Sequence, residues 1–458
     1  MKLTRLLILL ICLFITTSYV YAERPQIYAL TNAKIVVAPG KVIEKGTIVL
    51  RDGLIEDVGA NISIPADAVE INLAGKTIYP GLIDINVGLK NLRRTAASPT
   101  TRGAAAAQAA QAQRNEPPAG AVHPLTRVRP ENRVSQQLIP FEAENKELES
   151  YRSLGITTVL VTPETGIFRG ESALINLKET TSVSNLILRD AVAQHVAFEF
   201  GFFGGNYPSS LFGAVAAFRQ ALLDANRYKT WQERYKANPT GMKRPEQSTA
   251  FDALVPVLNR SKLIVFELSD NRDILLADRL AKEFNLNTVM SSSGNEWELL
   301  EEIKPLKQTF ILSVAFPDKP KIEEADEATN VSLKELRRYV NAPENPKRLF
   351  DAGVRFAFTT NNLRNKSDFS KNIRKIITAG LSLDNVLAAF TTTPAEILGV
   401  SNSLGTLEKG KIANLIVTNG ELFGEKTKIE NIFVDGIKYE QDSKKPIMPE
   451  AAEPKEGK

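Results

Sequence analysis

Histidine is nearly absent from this chain: its 458 residues contain two, His123 and His195. An imidazole-based zinc centre gathers several such donors around one ion, and two histidines at unrelated positions cannot supply them. Cysteine is scarcer, with Cys12 alone, which excludes both an intrachain disulfide framework and a thiolate cluster. Beyond the N-terminus no apolar run approaches the roughly 20 residues that span a bilayer. No charge of one sign dominates either. With 57 basic against 53 acidic residues, there is no basic excess of the kind that nucleic acid or an anionic membrane demands.

The first residues stand apart. Lys2 and Arg5 precede the apolar stretch Leu6 to Ile15, followed by Val20-Tyr21-Ala22. This is the pattern of a secretory signal peptide, residues 1–22, cleaved after Ala22. It predicts a periplasmic or secreted protein with no transmembrane anchor. Cys12 lies inside the segment without the small residue that precedes a lipid-modified cysteine, so the mature chain is expected to be cysteine-free. Removing Lys2 and Arg5 takes the basic count from 57 to 55 against 53 acidic residues, a formal +2. With 43% hydrophobic residues, a chain this long buries enough apolar surface to fold without covalent staples.

What is present falls into two patterns. From about Pro25 to Pro80 short alternating runs, "YALTNAKIVV", "GTIVLRDGLIEDVG" and "AVEINLAGKTIYP", read as strands, with Asp52-Gly53 supplying a tight hairpin turn. The pattern returns in "GTLEKGKIANLIVTNG" and "KIENIFVDGIKYE". Residues 23–79 and 404–441 are therefore expected to form one composite β-sandwich. Between them, the apolar runs "LIDINV", "TTVLVTP", "KLIVFEL", "NTVMS", "FILSVA" and "RFAFTT" are separated by helical periodicity in "NRDILLADRLAKEFNL", "EWELLEEIK" and "LDNVLAAFTTTPAEILGV". This α/β alternation over residues 80–403 predicts a mainly parallel sheet, and a (β/α)8 TIM-type barrel suits its length better than a doubly wound sheet. An Ala/Gln/Pro-rich insertion, 95–120, and the tail 442–458 lack core material and are expected to be exposed and disordered, respectively.

"TIYPGLID" leading into the first barrel strand, with "LGITTVLVTP", "LDNVLAAFTTTPAEILGV" and "LGTLEKGKIANLIV" after it, resembles the amidohydrolase superfamily, in particular its imidazolonepropionase-like and dihydroorotase-like branches. The resemblance covers nearly all of the mature chain. It implies a hydrolase of C–N bonds other than peptide bonds, with zinc or a similar divalent metal held at the mouth of a (β/α)8 barrel. The family motif PG-x-ID-x-H-x-H places two imidazoles on one side of a strand end. Here Asn86 and Gly88 stand at those positions, Glu267 or Ser269 and then Ser293 where the fifth and sixth strands carry histidine, and Asn361 where the last strand carries the metal-binding aspartate. An amide cannot take the proton that this aspartate accepts.

The sequence therefore predicts a degenerate, metal-free family member acting as a binding or partner subunit. Its partner would be an intact amidohydrolase paralogue or a second copy of the chain. Two alternatives remain: an active hydrolase on an atypical carboxylate site built from Asp84 and Glu267, and a carbohydrate- or peptide-binding envelope protein. His123 and His195 are read as ordinary core or surface residues, the latter where a helix end enters a strand. Arg127, Arg129 and Arg133 are read as a solvated loop. Phe198, Phe200, Phe202 and Phe203 are read as barrel filling or as a seal over its mouth.

Overall fold

The structure is a computed structural model that describes residues 27–92, 122–138, 146–180, 182–201, 207–320 and 331–440. The expected signal segment 1–22, the residues 95–120 and 442–458, and Phe202 and Phe203 lie outside the described residues. Among those described, no helix is long and apolar enough to cross a membrane.

Alternation at the two chain ends produces one eight-stranded sheet. Its members are β1 (Tyr28–Ala38), β2 (Lys41–Arg51), β3 (Leu54–Gly59), β4 (Val69–Asn72) and β5 (Thr77–Pro80), joined by β16 (Leu415–Thr418), β17 (Ile429–Val434) and β18 (Ile437–Glu440). Asp52 and Gly53 both take positive φ between β2 and β3, and so do Asp435 and Gly436 between β17 and β18, as a two-residue turn matched to strand twist requires. Asn419-Gly420 instead opens a longer connection. The eight strands form one hydrogen-bonded sheet, in which β1 changes neighbour along its length. Its start pairs with β4, and Lys34 and Ile35 pair with β5. The register shift between Leu30 and Ala33 and the left-handed Asn32 mark the bend. A separate apolar core results, in which Leu30, Ile35, Ile48, Leu415 and Phe433 meet.

The central region forms two further sheets. One is four-stranded, in the order β10 (Ile187–Arg189), β9 (Ala173–Asn176), β7 (Ile156–Thr162), β6 (Leu82–Gly88). The other is six-stranded, in the order β15 (Phe356–Thr359), β14 (Thr309–Ser313), β13 (Thr288–Ser291), β12 (Leu263–Glu267), β11 (Ala193–Ala197), β8 (Phe168–Glu171). β11 to β15 run parallel, and β6 and β7 do too. The consecutive strands β8 and β9 link the sheets, the first antiparallel to β11 and the second antiparallel to β7. The result is a mixed α/β architecture in which no hydrogen-bonded ladder joins the described strands into a closed ring.

Alternate strand residues separate into two environments, as pleating dictates. Ile83, Ile85, Leu160, Leu174, Val265, Val289, Ile311 and Ala357 pack together as one cluster. Their sequence neighbours Val159, Val161, Ile264, Phe266, Phe310, Phe356 and Phe358 pack with helical residues such as Phe218, Phe369 and Phe390. The predicted helices appear at Asp273–Glu283, Leu383–Phe390 and Thr392–Ile397. "EWELLEEIK" forms only a 3-10 turn and the short helix Leu300–Ile303.

Candidate functional site at the strand ends

The C-terminal ends of parallel strands are where an α/β scaffold presents side chains for function. In this chain Glu267 pairs in register with Ala197 and Ser291, and Ser313 with Thr359. Each of these residues follows, two positions on, a member of the inner apolar cluster or of its strand. The ends of β11 to β15 thus present Ala, Glu, Ser, Ser and Thr.

Asn86 reaches two of the neighbouring elements. Its Oδ1 accepts from Thr162 Oγ1 at 2.9 Å, and its Nδ2 donates to Ser291 Oγ at 3.3 Å. The amide, 1% exposed, therefore tethers β6 to β7 and to β13 of the other sheet. Gly88 is backed by a carboxylate: a Cβ there would lie 2.4 Å from Glu164 Oε1. Glu164 is held in that place by the backbone N–H of Lys90 at 3.1 Å and by its ammonium at 2.9 Å.

Asp84 is fully buried, and both of its oxygens are occupied. Oδ1 accepts from Thr359 Oγ1 at 2.6 Å and from the Asn86 N–H at 3.2 Å. Oδ2 accepts from the Thr360 N–H at 2.9 Å and from the Thr360 hydroxyl. Burial raises the carboxyl pKa above its ordinary value, against the opposing effect of these hydrogen bonds. Thr359 Oγ1 also lies 2.7 Å from the Asn86 carbonyl oxygen. The facing ends of β6 and β15 are thus laced by side chains where no ladder joins them.

Glu267 belongs to a different network. Its Oε1 lies 2.8 Å from His195 Nδ1, and its Oε2 accepts from Arg169 Nη1 at 2.6 Å. Arg169 also pairs with Glu199 at 3.6 Å, and Glu199 with Arg127 at 2.9 Å. His195, on β11 and fully buried, leaves Nε2 without a hydrogen-bond partner. No helix precedes it: β10 and a short bend do, and the strand lies within a run of six buried residues, Val192–Ala197. Asp84 and Glu267 share no hydrogen-bond partner. Replacing Arg169 with Met is expected to cost about 2 to 3 kcal/mol, since it takes the arginine from partly buried Glu267. Equilibrium denaturation measures this, and a loss below about 0.5 kcal/mol would make the network ornamental.

The remaining predicted positions fall elsewhere. Ser293 lies beyond the end of β13, its Oγ buried without a partner, and the residue in register with Glu267 is Ser291. Asn361 follows β15 with its side chain turned to its own neighbour, accepting from the Asn362 N–H at 3.0 Å. His123 is a core residue, 5% exposed, whose Nδ1 accepts from the Leu125 N–H at 3.1 Å, and burial lowers its pKa. Arg127 and Arg129 are part-buried and bonded rather than solvated, while Arg133 is exposed. Arg129 donates to the carbonyls of His123, Leu125 and Val128, Arg127 pairs with Glu199 and Arg133 with Glu171. Phe198 packs against Phe218 and Phe266, on the helix-covered side of the sheet rather than in the inner cluster. Sequence reasoning missed Thr162, Glu164, Ser291, Thr359 and Thr360. Strand-end position could have flagged Thr162, Ser291 and Thr359, but nothing local marks Glu164.

Strands from both chain ends in one β-domain, parallel strands with intervening helices, and polar residues collected at their C-terminal ends define an α/β scaffold with a composite β-domain. Comparison with known proteins agrees. Residues 282–438 match the model described as the amidohydrolase family. Imidazolonepropionase from Vibrio cholerae serotype O1 is 38% identical over 65 residues, 13% of this chain and 16% of that protein, so the match spans about one sixth of the relative. The crystal structure of an amidohydrolase from Thermotoga maritima superposes with a TM-score of 0.70 at 20% identity, covering 90% of this chain and all of that one. An uncharacterized protein of known structure gives 0.51 at 14% identity, over 91% and 100%. Residues 282–438 are thus similar to the amidohydrolase family, and the chain shares the fold of the Thermotoga protein.

Proposed function

We propose that this chain is a catalytically degenerate amidohydrolase-family protein that binds rather than hydrolyses. The hydrogen-bonded set Thr162–Asn86–Ser291 carries the reading, because it occupies the strand ends where the family motif would place metal ligands. A neutral amide, a glycine and a serine hydroxyl do not fit a zinc ion, which selects imidazole, thiolate or carboxylate. Glu267 is engaged by Arg169 and His195. Among the described residues, no three His, Cys, Asp or Glu side chains converge on a common point. We also read the strands as the eight positions of a (β/α)8 barrel, β6, β7, the β9–β8 pair, β11, β12, β13, β14 and β15. The side-chain lacing between β15 and β6 and the fold-level likeness to the Thermotoga protein support this.

A partner-binding role draws on helix Leu333–Asn341. It buries no residue and exposes Leu333 (61%), Leu336 (38%) and Val340 (61%), spaced to lie along one helix face. The partner in this reading is an intact amidohydrolase homologue or a second copy of the chain. The charged-then-apolar N-terminus supports export.

The test pairs metal analysis of the purified chain with a screen of C–N hydrolase substrates after incubation with zinc, manganese or cobalt. The expected outcome is less than about 0.1 equivalent of tightly held transition metal and no turnover above a boiled control. Stoichiometric metal together with hydrolysis would overturn the proposal. Leu336→Glu/Val340→Glu is expected to abolish association without changing the melting temperature, as read by light scattering and co-purification.

A further inference from the structure

A solvent-open cleft of about 240 Å³ lies at the beginning of β15, between helix Asn345–Asp351 and helix Leu383–Phe390. Its room follows from local sequence. "LFDAGV" ends the first helix in a left-handed turn: Gly353 takes φ +74° and donates its N–H to the Phe350 carbonyl oxygen, while the Val354 N–H donates to that of Leu349, both at 2.9 Å. A Cβ at Gly353 would meet nothing within 4 Å, so the turn leaves open space beside it. The second helix contributes Asn385, Ala388 and Ala389, whose i, i+3, i+4 spacing puts them on one face. Two of the three carry only a methyl group.

The lining divides by chemistry. Val354, Phe356 and Ala389 are buried and give the cleft an apolar floor, while Phe350 stands at 46% exposure, an aromatic ring shared between the cleft and water. Asn385, Thr393 and Arg355 are its polar side chains. Neither the Asn385 amide nor the Thr393 hydroxyl has a hydrogen-bond partner among the described residues. Arg355 is paired with Glu396, which does not line the cleft, so the one charge in the lining is already matched. Phe356 begins β15 and Thr359, the residue that bonds Asp84, ends it. The cleft is therefore at the opposite end of the strand from the Asn86 and Asp84 groups and stands apart from the proposed function.

We infer that this cleft is a binding site for a neutral bicyclic aromatic compound carrying one amide or hydroxyl group. Its volume exceeds the roughly 150 Å³ of an apolar cavity that takes a single benzene ring. The floor and the Phe350 ring favour aromatic carbon. Asn385 and Thr393 offer donors and acceptors to one polar substituent. Neutrality follows from the Arg355–Glu396 pair, since an anion would have to compete with a carboxylate already in place.

The experiment titrates naphthalene-2-carboxamide into the full chain, with binding read by saturation-transfer NMR and with naphthalene-2-carboxylate and benzamide as comparison ligands. The carboxamide is expected to bind with a Kd of about 1 mM or tighter, and the carboxylate and benzamide each about fivefold more weakly. Ala388→Leu fills the cleft from a half-buried position and is expected to weaken the carboxamide about tenfold with an unchanged melting temperature. Asn385→Ala is expected to weaken it about threefold. A wild-type Kd above about 10 mM overturns the proposal. Carboxamide binding that Ala388→Leu leaves intact lies elsewhere on the chain and overturns it too, and carboxylate binding as tight as the carboxamide's overturns the neutral ligand class.

Discussion

Gly81→Ala is expected to destabilise the chain by about 3 kcal/mol or more, the upper part of the range for overpacking a core. The residue sits in the Pro80-Gly81 step that delivers β5 into β6. A Cβ there would lie 2.2 Å from Thr157 Oγ1, 2.5 Å from its Cγ2 and 2.9 Å from its Cβ. Thr157 is fully buried on β7 and sits beneath strand ladders on both sides, so neither backbone has room to retreat. The glycine of "PGLID" is thus required by the close approach of β6 and β7. Gly81→Ala/Thr157→Ala removes two of the three clashing atoms and is expected to recover about half of the loss. That non-additivity is the mark of direct contact, and additive effects in chemical denaturation would refute it.

Asp84→Ala is the second large effect, at about 3 to 4 kcal/mol, because it strips the acceptor from two buried N–H groups and two hydroxyls. Asp84→Asn is milder, since one amide oxygen survives while the amino group meets donors. The pH dependence separates burial from simple contact loss. The folded-state pKa of Asp84 lies above its ordinary value, so the folded chain binds this proton more tightly than the unfolded one. Its stabilisation is complete below the unfolded pKa of about 3.9 and is lost as pH rises through the folded value. Relative to wild type, Asp84→Asn therefore gains as pH rises from that range toward neutrality. Denaturation of both proteins at about pH 4.5 and pH 7.5 measures the change in their difference, and a change of the opposite sign would show the hydrogen bonds prevailing over burial.

These expectations bear on what the strand ends have become. Asp84, the carboxylate of the PGLID motif, is a brace between β6 and β15 with all of its acceptor capacity in use. Glu267 braces β11, β12 and β8 through His195 and Arg169. Under the proposed reading, groups that a working hydrolase would direct at substrate have been turned toward one another, and fold stability is expected to depend on them.

Local order was legible from residues alone. Alternation located β1 to β3 and β16 to β18, Asp52-Gly53 and Asp435-Gly436 marked the β2–β3 and β17–β18 turns, and the apolar runs located β6, β7 and β12 to β15, because period and turn chemistry act over a few neighbours. The scarcity of histidine and the Asn86 and Gly88 substitutions were equally plain, since donor chemistry belongs to the side chain itself. Only the tertiary structure decided that β1 exchanges β4 for β5 along its length, that Ser291 rather than Ser293 stands beside Glu267, that Glu164 backs Gly88, and that His195 faces Glu267. Those outcomes depend on strand register and on contacts between residues far apart in sequence, and no local pattern encodes which partner a pleated strand will meet.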